Sequence, residues 1–550
     1  MGTQAADPSE TLAFDNSYGG VSDDGDYLVH VRGDELPPAP WSNVVANPRG
    51  GFLVTERGGG FTWAGSSYAF RLTPWSNDPI SDPPGEVLYL RDEDSGAVWS
   101  ATPAPVRGNA PYHVRHGAGH SSFEHVHGDI ATTLTLALAE EEPVKISLLR
   151  LTNRGSHPRR ITLTAYVEWT LSTLRKRARH HVRSWAEPGQ SALFAQNHFN
   201  AQFADWVAFC ALSEPLSALT GDRREFLGRN GSTSHPVGLS RPLSGTTGVA
   251  LDPCAALQCT LRLAPGESRD VVALLGAAPD ERRAREAVAT LRDVGRATAA
   301  VERSIALWRD RLTTIAVHTP EPNFDAVVNR WTLYQALSAR MWGRTGLYQN
   351  SGAYGFRDQL QDVMAFVYAE PGVARQHILR AAARQFVEGD VQHWWHPDSG
   401  RGVRTRFSDD LVWLPFVVEH YVRITGDAGV LDEPVPFLQM RPLGPDEQEV
   451  YDLPVVAPGT APVYEHCTRA LRHACTAGEH GLPLMGSGDW NDGMNRVGAG
   501  GRGESVWLGW FLVATLRAFA PLAQARGDAD TAAWCRTRAD SYTAAVEAHG

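Results

Sequence analysis

The hydrophobic pattern of this 550-residue chain changes its period about half-way along, and that change limits the fold more than any other feature. In the first half, short runs alternate apolar and polar residues and are broken by Gly, Pro and Asn or Asp. Segments 51–55, 68–72, 86–90 and 112–115 are examples. Two longer runs, 144–151 and 160–169, flank a turn-like stretch from Asn153 to Pro158 and read as a hairpin. Many short strands at close spacing predict one large antiparallel sandwich, closing after a strand over 270–275. Residues 279–312 are then rich in Arg, Ala and Glu, with Val288, Leu291 and Val294 at helical spacing. From Asn323 onward Phe324, Val327, Val328, Trp331, Tyr334 and Met341 mark one face of an amphipathic helix. Helical stretches follow at 359–369, 373–388, 409–424, 463–477, 505–526 and 528–548, joined by loops rich in Gly, Trp, Asp and Arg. Helix pairs with chemically dense loops suggest an α/α toroid, but these are too few to close a ring of six hairpins. The predicted fold class is therefore multidomain α+β. An antiparallel β-sandwich occupies residues 1–278, a helical linker 279–320, and an incomplete (α/α)6 barrel 321–550.

Composition narrows the function. Hydrophobic residues make up 43% and charged residues 21%, too apolar a balance for a disordered chain. The net charge of −11 argues against a nucleic-acid partner, which needs a clustered basic face. Uninterrupted apolar runs such as 411–418 fall short of the about 20 residues of a spanning helix, so no membrane segment is expected. Met1 to Phe14 is polar and lacks an apolar signal core. Six sparse cysteines fit a reducing compartment, and the expected location is cytoplasmic. Cys467 and Cys475 interleave with His466 and His473, but at no zinc spacing, so neither a metal nor another cofactor is expected. Seventeen tryptophans are many for this length; flat indoles stack on sugar rings, although most serve as large core residues.

Three loops carry the chemistry. The first runs from Tyr354 to Asp362 and contains the adjacent Arg357 and Asp358. An Arg/Asp pair on a pocket wall can hold sugar hydroxyls by charge-assisted hydrogen bonds. The blander expectation is that Asp358 caps a helix and Arg357 makes a surface ion pair. The second loop, His393 to Asp410, gathers Trp394, Trp395, Arg401, Arg404, Arg406, Asp409 and Asp410. It lacks the His-Glu-x-x-His pattern of a zinc hydrolase, and Ser408-Asp409-Asp410 reads in part as a helix cap. The third, Gly486 to Arg496, sets Asp489 and Asp492 about Trp490 between glycines. An acid against an indole is partly desolvated, which raises its pKa and suits a proton donor. An EF-hand is excluded because the glycine falls one position early, whereas an Asx-rich turn without chemistry is the plain alternative. Gly498-x-Gly500-x-x-Gly503 matches a dinucleotide fingerprint on paper, but no strand precedes it. It reads as a loop before a helix capped by Ser505.

These stretches, with Pro74 to Pro79 and Asp82 to Gly85, resemble the inverting phosphorylases of glycoside hydrolase family 94 from about Asn16 to about Gly527. Within the family, the likeness is to the phosphorylase-like region of cyclic β-1,2-glucan synthases and to 1,2-β-oligoglucan phosphorylases. The resemblance implies a carbohydrate-binding, mutarotase-like sandwich, a helical linker and an (α/α)6 catalytic barrel. It implies that Asp492 is the general acid and that Arg357, Asp358 and Trp490 bind the non-reducing-end glucose. Cellobiose-type members carry an arginine six residues before that aspartate; here the position is Gly352, which favours the β-1,2 branch. The implied partners are a β-glucan oligosaccharide and inorganic phosphate as co-substrate, with a fusion to a membrane synthase or a homodimer as arrangements left open. The family's phosphate-binding residues are expected beyond Gly550, so this chain by itself is expected to lack them. Two competing expectations remain: an inverting β-glucoside hydrolase or transglycosylase on the same barrel, and a non-catalytic region that binds glucan and controls its length.

Overall fold

The computed structural model describes residues 12–33 and 35–550, so the first eleven residues of the polar N-terminal stretch lie outside the described residues. The chain divides into two compact units, one ending at Gly352 and the other starting at Ala353.

The first unit is a layered antiparallel sandwich. Its larger sheet has eleven strands, with Ile130–Leu138, Val144–Asn153, Ser268–Ala278 and Val207–Leu212 side by side in its middle. A second sheet has five strands and is centred on Pro253–Leu263, Arg159–Glu168 and Glu86–Asp92. The core runs between them through residues such as Leu134, Leu149, Leu163, Leu257 and Val271. Strand His120–His127 alternates inward and outward residues, as a sheet with one buried face requires.

The expected hairpin does not form. Strand Val144–Asn153 pairs with Ile130–Leu138 and Ser268–Ala278, whereas Arg159–Glu168 pairs with Glu86–Asp92 and Pro253–Leu263. The two strands lie in different sheets. Asn153 redirects the chain at the corner: its buried Nδ2 donates to His157 O at 2.8 Å, Leu263 O at 3.1 Å and Ala264 O at 3.2 Å. Segment 68–72 is likewise no strand. It wraps around the buried Arg71, whose Nε donates to Ser67 O and whose Nη1 donates to Thr173 O.

Helices Glu281–Leu291 and Val294–Leu312 start at Asp280 and Asp293, whose carboxylates accept from the Arg283 and Arg296 amides. They lay Ala284, Val288, Ala297, Ala300 and Val301 on the outer face of the large sheet, against Ile146, Phe194, Phe209 and Val272. The stretch from Pro322 to Gly343 is helical with wide π turns at Val327–Trp331 and Ala336–Gly343. It groups with the sandwich because Tyr334 and Ser338 hydrogen-bond strand Ser42–Asn47 through Asn43 and Val44.

The second unit is helical, built from Phe356–Ala369, Pro371–Ala382, Asp410–Thr425, Val463–Ala474, Val506–Ala525 and Ala529–His549. The helix expected over 373–388 stops at Ala382, because the buried Gln385 and Phe386 leave the helical path to bridge Val391 and Leu438. The last two helices pack along each other. Val506–Ala525 is long and apolar enough to cross a membrane by length and composition, a feature missed by looking only for unbroken apolar runs. Its Leu508, Leu512, Leu516, Phe519 and Ala523 are buried, the pattern of a core helix. The connections carry a small antiparallel sheet of Tyr354–Gly355, Gln392–Trp395, Gly402–Thr405 and Glu449–Asp452.

Candidate active site

That small sheet ties together the first two of the three loops singled out in the sequence. Hydrogen bonds join the second and third. The Ser408 amide donates to Gly488 O at 3.0 Å, the Ser408 hydroxyl to Met485 O at 2.9 Å, and the Ser487 amide to Arg406 O at 3.0 Å. This close approach depends on Gly486, which has a left-handed φ of +67°. A Cβ there would lie 2.0 Å from the Arg406 carbonyl oxygen.

Arg357, in the first turn of Phe356–Ala369, is the hub. It is buried, not a surface group as the blander expectation had it. Its Nη1 donates to Asp409 Oδ1 at 3.1 Å, Asp409 Oδ2 at 3.2 Å and Asp489 O at 3.0 Å. Its Nη2 donates to the carboxylate of Asp492. Burial alone would lower the guanidinium's pKa, but Asp409, Asp410 and Asp492 hold it above its ordinary value.

Asp409 is fully buried, and its Oδ2 also accepts from Trp413 Nε1 at 3.1 Å. Its carboxylate is spent on these bonds, so it makes no side-chain cap for Asp410–Thr425, contrary to the capping expectation. Burial, then the neighbouring Asp410, pushes the Asp409 carboxyl up to about 7, against a smaller downward pull from Arg357. Asp410 turns the other way and accepts from His393 Nδ1 at 2.8 Å. Burial would lower the pKa of His393, but Asp410 holds it above its ordinary value. The His393 ring stacks on the Phe407 ring at 4.4 Å, and the Arg357 guanidinium lies 5.7 Å from the Phe407 ring.

In the third loop the two acids play different parts. Asp489 is buried; it accepts from the Asn491 amide at 3.0 Å and from the Ser505 hydroxyl at 2.7 Å. Ser505 in turn caps Val506–Ala525 by accepting from the Leu508 amide, as its sequence context predicted. Asp489 therefore anchors the loop to a helix. Asp492 opens a single helical turn with its side chain 62% exposed, apart from its contact with Arg357. Trp490 is itself 52% exposed, with Nε1 3.5 Å from Gln361 Oε1. The desolvation expected from an indole wall is therefore not what surrounds Asp492; its defining neighbour is a guanidinium. Asp358 is exposed and sits over the start of its helix, where a Cβ on Gly355 would lie 1.8 Å from its Oδ2.

Arg357 and Asp492 thus meet directly across 135 residues of chain, with Trp490 on the same loop and Asp358 next to Arg357. Sequence reasoning noted Asp409 and Asp410 only as paired acids at a helix start. It did not find the buried network of Asp409, Trp413, Asp410 and His393.

Residues 25–294 match the glycosyl hydrolase 94 supersandwich domain, and residues 307–550 match the catalytic domain of the glycosyl hydrolase 94 superfamily. The chain belongs to glycosyl hydrolase family 94. Among curated family 94 relatives, it is 41% identical to the cyclic beta-(1,2)-glucan synthase NdvB of Rhizobium meliloti (strain 1021), over 98% of this chain and 19% of the synthase. It is 30% identical to the solabiose phosphorylase of Paenibacillus borealis, over 92% of this chain and 63% of that enzyme. A 1,2-beta-oligoglucan phosphorylase of Listeria innocua serovar 6a is 28% identical over 32% of this chain and 16% of that protein. The chain thus spans less than two thirds of the length of each of these relatives. Among solved structures, a bacterial glucoamylase complexed with acarbose superposes with a TM-score of 0.56 at 9% identity, covering 94% of this chain and 70% of that one. That likeness concerns the fold alone: a sheet-rich domain followed by a helical domain of the (α/α)6 kind.

Proposed function

We propose that this chain serves inverting phosphorolysis of β-glucosidic bonds in β-glucans, with β-1,2-linked glucose as substrate and inorganic phosphate as co-substrate. The product is α-glucose 1-phosphate, made either by a phosphorylase or by the phosphorylase-like region of a cyclic β-1,2-glucan synthase. The observation that carries this reading is the meeting of Arg357 and Asp492 beside an exposed indole, within a family 94 catalytic domain. The names of the 41% and 28% identical relatives support the β-1,2 linkage. Six unpaired thiols support a cytoplasmic reaction.

In this mechanism Asp492 protonates the departing glycosidic oxygen while phosphate attacks the anomeric carbon from the opposite face. An inverting hydrolase needs a second carboxylate to activate water; phosphate is already a nucleophilic anion, so one acid suffices. Asp409 is unsuited to the role of base, being fully buried and tied to Arg357 and Trp413. Arg357 and Asp358 hold the hydroxyls of the terminal glucose, and Trp490 offers a ring face. An ion-paired carboxylate is a poor proton donor, so the pair must part during turnover. A sugar hydroxyl that takes Arg357 Nη2 releases the Asp492 carboxylate, which takes up a proton from solvent and then hands it to the glycosidic oxygen.

The test is to supply a β-1,2-glucooligosaccharide with and without phosphate and to assay glucose 1-phosphate. Phosphate-dependent product that disappears in Asp492→Asn supports the reading. Free glucose formed without phosphate would favour the hydrolase. Turnover indifferent to Asp492→Asn would favour the non-catalytic, glucan-binding role.

A further inference from the structure

Between Arg175 and Arg183, seven of nine residues are Arg, Lys or His, in a chain whose net charge is −11. The segment begins as the short helix Arg175–Ala178 and runs into Val182–Glu187, an edge strand of the eleven-stranded sheet. One of its basic groups is used for anchorage: Arg175 donates to Asp252 and stands 3.6 Å from Glu168. Ala178 and Val182 are buried and seat the segment on the sandwich. Lys176, Arg177, Arg179 and Arg183 are exposed, and among the described residues no carboxylate pairs with them. Arg150, Arg159 and Arg269 of the same unit, by contrast, each hold a carboxylate. Arg179 Nε reaches only His180 Nε2, at 3.3 Å, and Arg183 lies 5.3 Å from the Trp185 ring.

Bare apolar side chains stand beside these charges. The turn after Ala192–Asn197 carries Phe199, which is 76% exposed, and His181 stacks on its ring at 4.2 Å. The same turn is stapled to the start of the basic segment, because Asn197 Nδ2 and Asn200 Nδ2 donate to Leu171 O at 3.1 Å and 3.3 Å. Leu174 is exposed as well. Cations and apolar groups therefore share one surface, fixed at both ends and built wholly within the first unit.

Unpaired cations on an acidic protein call for a polyanion, and the apolar groups choose among polyanions. A phosphodiester backbone gives Leu174 and Phe199 nothing to bury against. An anionic bilayer suits both kinds of side chain, with headgroup phosphates for the cations and acyl chains just beneath for the apolar groups. Long side chains without fixed partners also suit a layer of headgroups that rearranges around them. The negative charge of the remaining surface is repelled by the same layer, so contact through this patch sets the orientation of the molecule.

We propose that this patch docks the sandwich on an anionic lipid surface, with Lys176, Arg177, Arg179 and Arg183 at the headgroups and Leu174 and Phe199 dipped between them. The contact is peripheral and reversible, and it does not rest on the phosphorylase reading.

The experiment co-sediments the intact chain with phosphatidylcholine vesicles, with and without phosphatidylglycerol, at low and high salt. Binding is expected to the anionic vesicles only, and high salt should release it. Lys176→Gln, Arg177→Gln and Arg179→Gln together should weaken binding about a hundredfold, at about fivefold per charge. Phe199→Ala changes no charge and should weaken it about tenfold. All four side chains are exposed, so the thermal melt and the release of glucose 1-phosphate from a soluble oligosaccharide are expected to match wild type. No binding to anionic vesicles, equal binding to both kinds, or binding indifferent to the triple variant overturns the proposal. Binding to duplex DNA that equals vesicle binding and ignores Phe199→Ala makes the patch a general polyanion site and overturns it too. A dimer that the triple variant dissociates, without vesicle binding, assigns the surface to a second copy instead. Vesicle binding by a protein that makes no glucose 1-phosphate refutes the phosphorylase reading alone.

Discussion

Arg357 is asked to satisfy two carboxylates of opposite character. Asp409 is locked beneath it, and Asp492 is exposed above it. Replacing Asp492 by Asn is expected to lower phosphate-dependent glucose 1-phosphate release by about 10²–10⁴-fold, the usual contribution of a positioned acid. The melting temperature should hardly change, because the side chain is exposed; an assay run beside a thermal melt checks both. Asp409 makes a different prediction. Its carboxyl titrates at about 7 in the folded chain against an ordinary 3.8. Between these values the folded state keeps a proton that the unfolded chain has lost, so this group's contribution to stability falls as pH rises from about 4 to about 7. Asp409→Asn removes that slope. Relative to wild type, the variant should gain stability as pH rises from about 4 to about 7 in urea unfolding; a gap independent of pH over that range refutes the assignment. The contrast explains what was legible at the site. Trp490 and Asp492 stand in one glycine-flanked loop, and Arg357 stands in another conspicuous motif, so the sequence pointed to all three. Ser408-Asp409-Asp410 before an apolar helix has the local signature of a cap. Only the fold brings Arg357, 52 residues earlier in the chain, onto Asp409.

Loops and turns decide whether these side chains meet. Gly486 lets the third loop lie on the Arg406 carbonyl, where any Cβ would clash and the left-handed backbone would add strain. Gly486→Ala is therefore expected to push the two loops apart and abolish activity while the far-ultraviolet circular dichroism keeps its helical shape; an active Gly486→Ala enzyme contradicts this. Asn153 has a similar duty in the sandwich. Asn153→Ala leaves the buried Leu263 carbonyl, and the part-buried carbonyls of His157 and Ala264, short of a donor and should cost about 1–3 kcal/mol, measured by chemical unfolding. The period of the hydrophobic pattern revealed strands and helices well. Val144–Asn153, Arg159–Glu168 and Val506–Ala525 all lie close to where alternation or helical spacing predicts them. Pairing was not legible, because two adjacent strands with a polar turn look alike whether they pair or part. The deciding bonds, from Asn153 to Leu263 and Ala264, cross more than a hundred residues.

Across the whole chain, the six cysteines are unpaired, and only Cys475 is less than fully buried. Burial pushes the thiols of Cys210, Cys259 and Cys535 up to about 12 and that of Cys475 up to about 11. At pH 8 a disulfide reagent should label the native protein slowly and at Cys475 first, and should label all six thiols once it is denatured. Reductant should leave the melting temperature unchanged. The same sandwich imposes an order on its own birth. The middle of the large sheet needs Ser268–Ala278 between Val144–Asn153 and Val207–Leu212, and the second sheet needs Pro253–Leu263 beside Arg159–Glu168. A nascent chain emerging from the ribosome therefore holds the unmatched edge of Val144–Asn153 for more than a hundred residues of translation, until two consecutive late strands, one for each sheet, arrive to complete both layers together.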